Sequence, residues 1–168
     1  MITLTPDTCK ALLKFGSKDK SRPHIYGIGV HQGSLGATDG HAAVTFYVPL
    51  KPDTAADLEG RVFPRPYVEQ QLRLATALKT DVSLEPIQVF DGPFPPVALI
   101  TPAATPGATL TRLDPQYLAL LPLVAKACQA PVVSLSAGHD DGPVRFDFRG
   151  RQISATVVMV QLPKDLVD

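Results

Sequence analysis

Three times in this sequence a short β-type segment runs into a proline at a position where a helix can begin, and an amphipathic stretch follows. The three starts are Thr5-Pro6, Arg65-Pro66 and Asp114-Pro115. Proline in a first turn lacks only an N–H that would be unpaired there anyway, and its fixed φ suits the helix. Thr5 and Asp114 also carry side-chain oxygens able to accept from first-turn amides. The lead-ins Ile2-Thr3-Leu4-Thr5-Pro6-Asp7 and Thr109-Leu110-Thr111-Arg112-Leu113-Asp114-Pro115 are alike, so the chain reads as a weak internal repeat of strand, helix and strands. With 17 prolines and 12 glycines among 168 residues, it must build short elements joined by defined turns.

In the first unit Leu12, Leu13 and Phe15 supply the buried stripe, while Lys10, Lys14 and Lys18 recur every fourth residue on an opposite face. Strands are expected over 25–30 and 36–49, hinged by His31-Gln32-Gly33-Ser34. Residues 51–60 read as a connecting loop. The middle unit places a strand over 61–64 and a helix over 67–79, with Val68, Leu72, Ala75 and Leu78 at helical spacing. Short strands are expected over 82–84, 87–90 and 97–100, and a loop over 102–107. The third helix, over 116–128, should be kinked or divided at Pro122. Strands over 132–137 and 143–148 flank Gly138-His139-Asp140-Asp141-Gly142, and 152–162 ends the sheet. Val144, Phe146 and Phe148 alternate with Arg145 and Asp147, the pattern of a strand with one wet face. The fold class is α+β, an antiparallel sheet with helices packed on one face.

A hydrophobic content of 45% over this length supports a globular core and makes disorder the wrong default. No apolar run is long enough to span a bilayer, and Met-Ile-Thr-Leu-Thr-Pro lacks the basic start and apolar segment of a secretory signal, so a cytoplasmic protein without a membrane partner is expected. Cys9 and Cys128 each fall on an expected helix, where a lone cysteine acts as a small apolar residue. Sixteen basic and sixteen acidic residues balance, so bulk charge forces no nucleic-acid partner. The distribution is uneven, because Lys10, Lys14, Lys18, Lys20 and Arg22 crowd the first helix and its exit. Such a face is either simply solvated or meets an anion.

The run Ala37-Thr38-Asp39-Gly40-His41-Ala42 admits two readings. In one, Gly40 supplies an unusual backbone angle at a strand-edge turn and Asp39 accepts main-chain N–H groups. In the other, Asp39 and His41, with His139 and Asp141, form an acid/base or metal site. The spacing matches no established ligand pattern and no phosphate-binding glycine loop accompanies it, so no catalytic residue, metal or cofactor is expected.

Three segments resemble the bacterial sliding clamp, the beta subunit of DNA polymerase III. Ser21-Arg22-Pro23-His24-Ile25-Tyr26-Gly27-Ile28-Gly29-Val30 with Gly36-Ala37-Thr38-Asp39-Gly40-His41 is similar to the first half of that family's middle domain, a match that extends over 9–48. Asp91-Gly92-Pro93-Phe94-Pro95-Pro96 is similar to the segment closing that domain. Val157-Val158-Met159-Val160-Gln161-Leu162 resembles the C-terminal strand of its final domain, where Val160-Gln161-Leu162 departs from the usual Pro-Met-Arg.

The resemblance implies a non-enzymatic ring and docking platform. Carried over by position, Thr38, Gly40 and His41 would edge a peptide groove, Pro95 and Ile100 would line it, and Val158, Met159 and Val160 would form its far wall. Taken alone, Met159 and Ile100 would read as ordinary core residues, but the three segments appear jointly and in the family's order, which favours the groove. Lys10, Lys14, Lys18, Lys20 and Arg22, with Arg73 and Lys79, would meet the phosphates of double-stranded DNA without reading bases. The partners implied are duplex DNA, a DNA polymerase or other clamp-binding peptide, and further copies of the chain. Residues 1–102 correspond to a clamp-like domain with a compressed second half and 103–168 to a half-domain, together about one and a half clamp domains, so a ring requires self-association. Two functions follow: a replication accessory protein, of a phage or other mobile element, or a clamp-fold interaction module, competitor or adaptor, that never encircles DNA.

Overall fold

The computed structural model describes residues 1–85, 90–91, 94–95, 113–137 and 142–160, with the backbone alone at Phe90, Asp91 and Ala137. In chain order the elements are β1 (Ile2–Leu4), α1 (Pro6–Phe15), β2 (Gly27–His31), β3 (Ser34–Thr38), β4 (Ala42–Tyr47), α2 (Pro52–Leu58), β5 (Arg61–Pro64), α3 (Arg65–Leu78), β6 (Val82–Leu84), β7 (Phe90–Asp91), α4 (Pro115–Leu118), α5 (Leu121–Cys128), β8 (Val133–Ala137), β9 (Val144–Arg149) and β10 (Ser154–Met159). Eight strands form one antiparallel sheet in the order β7-β5-β2-β3-β4-β10-β9-β8, and β1 pairs with β6 in a separate ribbon. The seam between β4 and β10, from Ala42↔Met159 to Tyr47↔Ser154, joins the early strands to the late ones.

Each proline-led helix starts as its local chemistry requires. The Thr8 amide donates to Thr5 Oγ1 at 3.2 Å, and the Gln116 amide donates to Asp114 Oδ1 at 2.8 Å. Pro122 divides the third helical run, leaving α4 as a single turn and sitting in the first turn of α5. All three longer helices lie on one face of the sheet, with α1 between α3 and α5. Period-two alternation turns Ile28, Val30, Leu35, Ala37, Val44, Phe46, Val157 and Phe146 toward these helices. Leu12, Leu13 and Phe15 of α1 meet them as the helical stripe.

Several expectations are corrected. Residues 51–60 contain α2 rather than only loop; Pro52 opens it, Asp53 suits its positive end, and Leu58 alone of its side chains is buried. The run 36–49 is two strands folded on each other through Asp39–His41. Leu78 is 71% exposed in the last turn of α3, whereas Val68 and Ala75 are buried. The expected strand over 97–100 and the loop over 102–107 lie outside the described residues, as do residues 87–89.

Arg65 joins α3 to α1. Its Nη1 donates to the carbonyl oxygens of Leu13 and Gly16 at 2.9 and 3.1 Å, while Nε pairs with Glu69 at 2.8 Å. The guanidinium thereby occupies the negative end of α1 and satisfies carbonyls that the helix cannot pair itself.

Cys9 and Cys128 are both buried and free. Burial pushes the Cys9 thiol up from 9.0 to about 12, and burial pushes the Cys128 thiol up to about 11. Both folded values exceed the unfolded ones, so the stabilising contribution of these neutral thiols is intact below about pH 9 and fades as pH climbs toward the folded values. Neither thiol is expected to react with iodoacetamide in the native chain at about pH 8, and both should react after unfolding in urea. Mass spectrometry of the native sample checks this; fast labelling of either cysteine would contradict their enclosure.

Candidate partner groove and cationic helix face

The outer face of the sheet, away from the helices, is built around two glycines. Gly29 and Gly36 are register partners on β2 and β3, and the Phe94 ring lies over both. A Cβ at Gly29 would overlap the ring, and one at Gly36 would stand 2.8 Å from Phe94 Cε1. Phe94 is buried with Ala43 and Val62 in a small apolar cluster distinct from the helix-side core. One cross-strand step along the sheet, Thr38, Ala43, Val158 and Arg145 form a row of successive partners. Thr38 and Val158, separated by most of the chain, are thus brought to one row on the outer face of the sheet, where both are buried.

The Thr38–Ala42 turn is held from several sides. Thr38 Oγ1 donates to the Ala42 carbonyl at 2.8 Å and accepts from the Gly40 amide at 3.0 Å. Asp39 Oδ1 accepts from the His41 and Ala42 amides at 2.9 and 3.1 Å. Gly40 has φ +101°, a conformation that strains any residue with a Cβ. The Val160 amide donates to the His41 carbonyl at 2.9 Å, so the end of β10 is pinned beside the turn. Gly40 and His41 are exposed, Thr38 is buried beneath them, and Val160 is 51% exposed.

The proposed groove residues divide. Thr38, Gly40, His41, Val158 and Val160 come together, and half-buried Pro95 follows Phe94. Met159 is a correction: it is 1% exposed and faces the helix-side core opposite Ala42 and Val144, because neighbouring residues of a strand point to opposite faces. The plain core reading holds for this residue. Ile100 lies outside the described residues.

Asp39 serves the turn rather than an acid/base centre, since both of its oxygens accept hydrogen bonds within the fold. The second, Oδ2, accepts from the Tyr117 hydroxyl at 2.7 Å. Burial first, and then Asp39, push the Tyr117 phenol well above its usual range, so it stays a donor at ordinary pH. Tyr117 was not expected at this site; the residues are 78 apart in sequence and no local pattern pairs them. His139 and Asp141 lie outside the described residues, among which no cluster of three or more His, Cys, Asp or Glu could hold a metal ion.

The expected DNA-contact residues also divide. Lys10 and Lys14 of α1 and Arg73 of α3 border a cleft of about 270 Å³ floored by Leu13 and Leu72. Lys10 also borders an adjoining hollow of about 520 Å³ with Lys79 and Asp81. All four cations are exposed and form no ion pair among the described residues, whereas Lys126 of α5 is paired with Asp7 at 3.1 Å. Lys18 is corrected from a helical stripe to a loop position, because α1 ends at Phe15. Lys20 is an exposed turn residue, and the Arg22 guanidinium lies beside Gly40 of the Thr38–Ala42 turn.

Helices side by side on one face of a continuous antiparallel sheet define a clamp-like fold. The chain is similar to a DnaN sliding clamp, DNA polymerase III subunit beta, from Bartonella birtlesii bound to griselimycin. That match has a TM-score of 0.58 and 14% identity, covering 96% of this chain and 65% of the clamp chain. A C. crescentus beta sliding clamp is also similar, with a TM-score of 0.44 and 20% identity over 95% of this chain and 49% of that one. The chain therefore spans less than two thirds of the length of either clamp. No family model and no curated protein matches the sequence. Among the described residues no helix is long and apolar enough to cross a membrane.

Proposed function

We propose that this chain is a non-enzymatic, clamp-like accessory protein that lies against duplex DNA through its helix face and docks a protein partner on the reverse face. The observation that carries the reading is the division of the surface. Lys10, Lys14, Arg73 and Lys79 line the α1–α3 seam without ion-pair partners among the described residues, while exposed Gly40, His41 and Val160 come together at the Thr38–Ala42 turn, next to which Phe94, Ala43 and Val62 are buried. Cations that touch phosphates without reading bases supply sequence-independent affinity. An exposed backbone turn with the half-exposed Val160 beside it suits an extended peptide that pairs through its main chain and brings an apolar anchor. A closed ring would require further copies of the chain.

The test is fluorescence anisotropy of a labelled duplex of about 30 base pairs of arbitrary sequence, titrated at several salt concentrations. Binding should weaken as salt rises, and Lys10→Glu/Lys14→Glu should weaken it at least about tenfold at low salt and flatten the slope by roughly two. If the wild-type chain shows no salt-sensitive binding even at about 50 mM salt, the DNA half of the proposal fails. A purely partner-binding adaptor would then be the better description.

A further inference from the structure

We propose that Tyr117 is the positioning residue of the groove lip: its hydroxyl, on Asp39 Oδ2 at 2.7 Å, fixes the carboxylate so that Oδ1 holds the His41 and Ala42 amides. The inference rests on reading the Thr38–Ala42 turn as that lip. A carboxylate on a short side chain rotates freely unless both oxygens are engaged. Here one oxygen shapes the turn and the other is tied to α4, an element of the third unit. The tie is half-buried, which strengthens a hydrogen bond relative to one open to water. Thr38 and Gly40 hold the turn locally, but their bonds stay within it. Tyr117 references it to the helix layer, and the Val160 amide references it to β10. Exposed Gly40 and His41 are thereby presented in one conformation, which lowers the ordering cost of docking.

Tyr117→Phe removes the hydroxyl and keeps the ring, so the variant should fold. Two measurements on the full chain test it. Amide hydrogen exchange by NMR should accelerate about tenfold at His41 and Ala42, with Val44 and Phe46 of β4 unchanged. Titration with griselimycin, the compound bound to the similar Bartonella clamp, should show affinity about three- to tenfold below wild type. In an Asp39→Ala background, Tyr117→Phe should change neither quantity further. Exchange at His41 and Ala42 unchanged by Tyr117→Phe, or accelerated equally throughout β4, overturns the positioning role. If wild type itself fails to bind griselimycin, the exchange rates alone decide whether Tyr117 orders the turn.

Discussion

Replacing Arg65 with alanine is expected to lower the unfolding free energy by about 3 kcal/mol, since charge-assisted hydrogen bonds to two buried carbonyls are lost together. The side chain is only 14% exposed, so water does not readily replace it. The Leu13 and Gly16 carbonyls would face the α1–α3 seam without a donor, at the helix end where negative partial charge accumulates. For a chain of this size the loss corresponds to a fall of roughly 10 °C in melting temperature. Arg65→Lys should recover less than half of it, because an ammonium cannot reproduce the guanidinium fork. Urea denaturation followed by circular dichroism measures both variants. A midpoint within about 0.5 kcal/mol of wild type for the alanine variant would show that the helix end finds other donors.

The second large effect concerns Gly29. Gly29→Ala places a methyl group where the Phe94 ring lies, so the ring must leave the sheet or the strands must part. The expected cost is about 2–4 kcal/mol, combining overpacking with lost aromatic burial. Phe94→Ala should cost a similar amount, and the double variant should be about as stable as Phe94→Ala alone, because the added methyl then meets empty space. Additive losses in this cycle would mean that the two residues act independently.

Features that depend on a few adjacent residues were legible in the sequence. The three helix starts follow from proline, joined by a capping oxygen at Thr5 and Asp114, and the β9 stripe follows from strict alternation of Val144, Phe146 and Phe148. Other features depended on tertiary context. The helix of residues 52–58 has one buried side chain, too little for a periodic signal. Lys18 continued the spacing of Lys10 and Lys14 past the end of α1 at Phe15, where Gly16 is already extended. The core position of Met159 was legible in the alternation, since a strand that places Val158 and Val160 on one face must place Met159 on the other, but the family resemblance outweighed it. The Tyr117–Asp39 bond had no sequence signal, because it exists only once β4, β10 and the third unit's helices have assembled.

The seam between β4 and β10 also dictates the order of assembly. The strand that fills the middle of the sheet is built from residues 154–159, so Val44 and Phe46 wait beside an open edge until the ribosome has added more than a hundred further residues. Partners so distant along the chain meet slowly, because each attempt must first overcome the entropy of a long loop. During synthesis the nascent sheet therefore carries an unpaired apolar margin, the kind of surface that chaperones shield.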